Sequence, residues 1–240
     1  MSEWFETWFG EEYLELYPHR DEAEAARVAG MLAARGAIAK DDLVLDLAWG
    51  AGRHSVALAA LGARVVGLDL SLPLLRAGKR RQGDLRLVRG DIRVLPMRSG
   101  SLDAVVNLFT SFGYFEHDEE HQAVIGEVTR VLRPGGRFVL DFLNAPRVRD
   151  TLVPRDEGMA GGRAVVQERR LEDQGRFVVK TIHLTGEDRC FMERVRLYDR
   201  SDLERMVTRA GLAMVDVLGD YDGAPHTSGS PRTFVLARRP

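Results

Sequence analysis

Over the first two thirds of the chain, short apolar runs alternate with amphipathic stretches. Residues 43–47, 64–68, 85–89, 103–108 and 137–142 read as strands, the most apolar of them as strands covered on both faces. Between them, apolar residues recur at helical spacing over 21–36, 54–61, 72–81 and 119–132. Asp21 with Glu24 makes a capping pattern for the first helix and Gly36 stops it, while Pro134, Gly135 and Gly136 end the last. Strands alternating with helices through short connections predict a mostly parallel sheet with right-handed crossovers and helices on both faces.

The pattern then changes. Residues 162–198 hold three polar–apolar alternating runs, broken near 173–175 and 186–188, which predict an antiparallel meander with one face laid over the open end of the main sheet. A helix follows over 201–210, with Ser201 as cap and Glu204 three residues on, and then strands at 214–218 and 233–237. At the other end, Trp4, Phe5, Trp8, Phe9, Tyr13 and Tyr17 recur at roughly helical spacing, predicting one or two short helices interrupted by Pro18. Four regions result: a helical cap or lid over 1–36, a core over 37–157, the antiparallel insertion over 158–199, and the last helix and strands of the core over 200–240.

Composition narrows the function classes. The chain of 240 residues is 45% hydrophobic and 29% charged with a net charge of −2, and no long basic tract suggests a nucleic-acid surface. Cys190 is the single cysteine, so an intrachain disulfide is excluded. The opening MSEWFETWFGEEYLELY is acidic and aromatic, unlike a signal peptide, and no run is long enough to span a membrane. A cytoplasmic protein, as monomer or homodimer, is expected.

The chemistry starts at VLDLAWGAGRHS, where a buried strand runs into a glycine loop and then a helix. Such a helix start offers backbone amides, and Gly50 and Gly52 let a ligand approach the main chain. A dinucleotide fingerprint asks for a third small residue where Ser55 stands. Asp69 ends the second strand and suits two ribose hydroxyls. Asp91, after the third, suits an adenine amino group, with Ile92 packing on the ring. One ribose, one base and an amino-acid tail fit this set better than a dinucleotide.

On LVLDLAWGAGRHS, VVGLDLS, GDIRVLP, LDAVVNLFTSFGYF and VTRVLRPGGRFVLDFLN, in this order and spacing, the chain resembles the class I S-adenosylmethionine-dependent methyltransferases. The resemblance implies an α/β, Rossmann-like fold: a seven-stranded sheet of order 3-2-1-4-5-7-6 with strand 7 antiparallel, plus the small antiparallel insertion. It implies S-adenosyl-L-methionine as cofactor, bound by Asp46, Ala48, Trp49, Gly50, Gly52, Asp69, Leu70, Asp91 and Ile92. Asn107, Leu108 and Phe109 line its methionine, and Tyr13, Tyr17 and Arg20 close over its carboxylate and sulfonium. Ala48 stands where the family commonly has glycine, and Trp49 where it often has cysteine. The Trp49 ring either narrows the pocket or packs into the protein, and Asp46 either meets the cofactor or orients the loop.

The implied reaction is in-line attack on the sulfonium methyl by a nitrogen or oxygen of a small molecule, with the meander as the substrate-covering lobe. His54, Tyr114 and Asp141 are the candidate catalytic residues. The aromatic stretch 109–117 sits where the methyl group emerges, its rings either lining a pocket or filling core. Two other readings stand beside this one: a methyltransferase acting on RNA or protein, favoured by an arginine face built from Arg163, Arg169, Arg170 and Arg176, and a non-catalytic S-adenosylmethionine-binding protein. His117 and His121 have metal-ligand spacing without a third partner, so no metal is expected.

Overall fold

The computed structural model describes residues 3–17, 22–82 and 85–240; the predicted cap Asp21, along with Pro18 and Arg20, lies outside them. The central strands are β1 (Leu43–Leu47), β2 (Arg64–Asp69), β3 (Arg86–Arg89), β4 (Leu102–Asn107) and β5 (Leu132–Leu143). All five run parallel, with β1 between β2 and β4. Neighbouring residues of β1 divide between two cores. Val44 joins Val28, Leu32 and Leu58 on one face, from helices α3 (Glu22–Ala34) and α4 (Arg53–Ala60). Leu45 joins Ile125, Val128, Leu203 and Val207 on the other, from α6 (Asp118–Val131) and α8 (Arg200–Arg209). This two-sided burial is why the strand carries no polar alternation.

Beyond β5 lie β11 (Arg232–Arg238) and β10 (Ala213–Leu218), with β11 antiparallel to both neighbours. The seven strands stand in the order β3-β2-β1-β4-β5-β11-β10, which is the order that the sequence motifs imply. Helix α8 is capped by Asp199 with Asp202 reaching back, two residues earlier than the expected Ser201 and Glu204. The aspartate pair satisfies the first-turn amides, Asp202 Oδ2 accepting Asp199 N–H at 3.0 Å.

The meander has a strand more than the alternation predicts. Strand β6 (Arg155–Ala160) pairs with β7 (Arg163–Glu172), which continues through β8 (Phe177–Leu184) to β9 (Cys190–Arg196). RDEGMA lies on the sheet edge, exposed except for Ala160, so it carries no apolar signal. A short helix α7 (Ala145–Thr151) also goes unannounced, starting with Pro146 in its first turn.

The leader folds into α1 (Trp4–Trp8) and α2 (Glu11–Leu16). Its Trp8 and Leu16, each 2% exposed, form one apolar cluster with Ala160, Val165, Ile182 and Leu184 of the meander. Leader and meander are thus two halves of one small core. Gly161 marks their closest approach: its φ is +57°, and a Cβ there would stand 1.8 Å from the carbonyl oxygen of Glu15. Gly162 has φ +80° with open space around it, so it reports backbone strain alone. Replacing Gly162 by alanine should cost about 1–2 kcal/mol. Gly161→Ala should cost clearly more and speed proteolytic removal of the leader. Equal melting temperatures for the two variants would show that the leader does not sit on this turn.

Candidate active site

The parallel strands end at a cavity of about 1440 Å³, larger than the roughly 300–1,000 Å³ of a typical single-ligand pocket. The loops after β1 to β4 form its base, and it is walled by the leader (Phe5, Phe9, Tyr13, Tyr17) and the meander (Val178, Lys180, Glu193).

The loop after β1 is turned left-handed three times, at Ala48 (φ +54°), Gly50 (φ +62°) and Gly52 (φ +82°). A Cβ on Gly50 would meet no protein atom within 4 Å, so ligand atoms have room against the backbone there. Gly50 N–H donates to Asp69 Oδ2 at 2.7 Å, and Ser71 N–H to Asp69 Oδ1 at 2.8 Å. The Asp69 carboxylate therefore ties the first loop to the second while lining the cavity. Burial pushes Asp69 up to about 6, against the backbone hydrogen bonds that favour its charged form.

The Trp49 ring packs into the protein and is 5% exposed, while the residue still contributes to the cavity lining. A Cβ on Gly67 would stand 2.5 Å from its ring, and one on Gly78, in α5 (Leu72–Gln82), 2.2 Å. Both glycines make space for the indole. Its Nε1–H donates to Ser55 Oγ at 2.8 Å, and Ser55 donates to Asp46 Oδ2 at 2.7 Å. The two sequence departures, tryptophan in the loop and serine in place of the third glycine, are thus partners. Asp46 is 3% exposed. Burial raises it to about 7, the Ser55 bond and Arg53 opposing, the charge of Asp69 adding.

Asp91 and Ile92 line the cavity after β3. Arg93 grips the Asp91 carboxylate, with Nη2 at 2.7 Å, and reaches Glu3 Oε2 at 2.9 Å and Glu120 Oε1 at 2.6 Å. Burial would raise Asp91, but these bonds and the guanidinium charge outweigh it and hold it below its ordinary value. One guanidinium therefore fastens the leader to the rim of the third loop.

After β4, Leu108 and Phe109 line the cavity, and Phe109 and Thr110 are both left-handed, each with φ +62°. For side-chain-bearing residues that costs about 1–2 kcal/mol apiece. Asp141 holds the turn: its Oδ2 accepts Phe109 N–H at 2.9 Å, and its Oδ1 accepts Arg232 Nε at 2.7 Å. Arg232 in turn donates to Thr110 Oγ1 at 2.7 Å. Asp141 is 1% exposed and lies behind the cavity wall, where burial raises its pKa and Arg232 opposes this. Asn107 also lies behind the wall, its Nδ2 donating to Leu47 O at 3.0 Å.

His54 lines the cavity from the first turn of α4, and Tyr114 lines it from beneath the leader, with ring centroids 4.9 Å from Trp4 and 5.6 Å from Phe9. Phe112 and Phe115 are core, though Phe115 also reaches the cavity. His117 caps α6, while His121 turns inward, its Nδ1 3.0 Å from Tyr198 Oη, and burial lowers it to about 4. Among the described residues, no group of three or more His, Cys, Asp or Glu is placed to hold a metal ion. Arg169, expected on an arginine face, lines the cavity, whereas sequence reading missed the cavity's Arg232 and its charged meander residues Asp156, Lys180 and Glu193. Their sole prior signal is that Lys180 is one of three lysines in the chain.

The raised Asp46 has a sign that can be checked. Between 3.8 and about 7 the folded protein keeps a proton that the unfolded chain has released, so stability falls as pH rises through that window. Asp46→Asn removes this slope and keeps an acceptor for Ser55. Its melting temperature relative to the parent should rise by at least about 5 °C between pH 5 and pH 8, from about 1.4 kcal/mol per pH unit. A difference independent of pH would mean that Asp46 is ionised in the folded protein throughout.

A family model described as a methyltransferase domain matches residues 44–136. Cypemycin N-terminal methyltransferase of Streptomyces sp. is 30% identical over 212 residues, which is 82% of this chain and 82% of that protein. Demethylmenaquinone methyltransferase of Renibacterium salmoninarum is 41% identical over 103 residues, 43% of this chain and 42% of that protein. The chain thus spans less than half the length of that relative. The CcbJ methyltransferase of Streptomyces caelestis shares the fold, with a TM-score of 0.84 at 22% identity over 98% of both chains. No described helix is long and apolar enough to cross a membrane. The chain belongs to the class I S-adenosylmethionine-dependent methyltransferases.

Proposed function

We propose that the protein methylates a nitrogen or oxygen of a small molecule inside a chamber formed by the core, the leader and the meander. The observation that carries this reading is the cavity of about 1440 Å³ walled on two sides by leader and meander residues. It has room for a cofactor and a second small molecule. The name of one relative points to a terminal amine, in cypemycin N-terminal methyltransferase, and that of another to a quinone, in demethylmenaquinone methyltransferase.

The residues fit S-adenosylmethionine. Asp69 would hold the ribose hydroxyls. Asp91 would take the adenine amino group, with Ile92 against the ring. The left-handed loop at Ala48, Gly50 and Gly52, with Asp46 behind it, would hold the amino-acid part. Leu108 and Phe109 would line the methionine, with Tyr13 and Tyr17 over it. Bound there, the cofactor supplies an electrophilic methyl group on a sulfonium. The protein's own work is alignment and exclusion of water. The clamped turn at Phe109 and Thr110 fixes the wall, and the aromatic rings of the leader keep the chamber dry. Tyr114 and His54 face the acceptor in this reading, whereas Asp141 acts through the Arg232 it orients.

Calorimetry tests the cofactor assignment. S-adenosylmethionine should bind at about micromolar level and NAD far more weakly. Asp69→Ala should weaken binding at least about tenfold, because hydrogen bonds to a charged group contribute roughly 1.5–3 kcal/mol each. An unchanged dissociation constant would show that the ribose is held elsewhere. Methyl transfer to RNA or folded protein as fast as to the best small acceptor would overturn the enclosed-chamber reading.

A further inference from the structure

Two charges on the meander form a loose ion pair with no direct hydrogen bond between them. Lys180 of β8 and Glu193 of β9 are in register, and both line the cavity. Each is fixed by an aromatic residue of the leader. Glu193 Oε1 accepts the indole Nε1–H of Trp8 at 2.9 Å, and Lys180 Nζ donates to Tyr17 Oη at 3.1 Å. Glu193 Oε2 remains 3.8 Å from Lys180 Nζ, beyond hydrogen-bond reach. The neighbouring ion pair of Arg169 and Asp156 is closer, with Nη1 and Oδ1 3.1 Å apart, though that nitrogen makes no hydrogen bond. The side chains of Lys180 and Glu193 are 21% and 24% exposed, too covered for an ordinary surface pair. The next row of the sheet is apolar, Val178 opposite Val195.

We propose that Glu193 and Lys180 are the docking point of the acceptor, and that the acceptor is an amine with an oxygen on the neighbouring carbon. The amine N–H groups donate to Glu193 Oε2, and the oxygen accepts from Lys180. Such a ligand completes both charges at once. A ligand without a donor would leave Glu193 Oε2 against an apolar body with no hydrogen bond, which is costly. Amino sugars and the amino ends of amino acids or peptides both carry this arrangement. The proposal rests on the small-acceptor reading above and sharpens it.

The test is calorimetry on the full chain saturated with S-adenosylhomocysteine. D-Glucosamine and L-alaninamide are the probes; D-glucose and N-acetyl-D-glucosamine are the controls that lack a free amine. At least one probe should bind at least about tenfold more tightly than the controls, and the tighter of the two identifies the source. Glu193→Gln keeps an acceptor for Trp8. It should weaken probe binding at least about tenfold while changing S-adenosylhomocysteine affinity less than about twofold. Lys180→Met should weaken the probes and leave cyclohexylamine, which has no oxygen, unchanged. Equal binding of probes and controls, or an unchanged probe affinity in both variants, overturns the proposal. Methylation of hydroxyl compounds with no amine binding sinks it alone, whereas transfer restricted to RNA or folded protein sinks the small-acceptor reading with it.

Discussion

The burial of one indole sets the geometry of the glycine-loop end of the cavity. Trp49 enters the protein where the first loop leaves β1, and its removal would cost on the order of 3–5 kcal/mol. To accept it, β2 and α5 each present a glycine, Gly67 and Gly78, where a Cβ would collide with the ring. Its single donor then needs a partner away from water. Ser55 supplies one and hands the demand on to Asp46. The loop is therefore held from below by a ring and from the side by Asp69, and its left-handed residues have little freedom to relax. A carboxylate as buried as Asp46 is the cost of this arrangement.

The opposite end of the cavity depends on a different kind of constraint. The meander is amphipathic, and its strands are too charged to bury both faces. One part of the inner face is covered by Trp8 and Leu16, and the rest opens onto the cavity. The leader thus completes an apolar core and shapes a wall at the same time. Arg93, bonded to Glu3, Asp91 and Glu120, fastens that wall to the core by charge where apolar contact ends.

Much of this was legible in the sequence because it is local. The strands of the parallel sheet are centred on short apolar runs, Asp69 ends one of them, and the glycine loop and Asp91 follow theirs at short, recognisable spacing. The rest is set by contacts between distant segments. Asp141 reads as a candidate catalytic residue, but its partner is Arg232, 91 residues away. Arg93 and Lys180 look like surface charges until Glu3 and Tyr17 are brought to them. Strand β6 has no apolar pattern because it is an exposed edge, and the cap of α8 was misjudged by two residues because Asp199 and Asp202 offer a pattern equivalent to that of Ser201 and Glu204. The pairing of Trp49 with Ser55 lies between these cases: both departures are visible six residues apart, but only the glycine notches show which way the ring turns.

The bond between Trp8 and Glu193 spans 185 residues of chain, and this separation bears on the order in which the molecule assembles. Each strand–helix–strand unit of the parallel sheet closes a short loop, whereas the leader must find a partner across most of the sequence. Contacts of such high separation form slowly, because the entropy of closing the loop is lost before the contact rewards it. Such separation favours early formation of the glycine-loop end of the cavity and late closure of the leader on the meander. A partly folded chain would hold a formed glycine loop beside an unroofed sheet, with Trp4, Trp8 and Phe9 still in water, and in that interval the protein is most prone to aggregate.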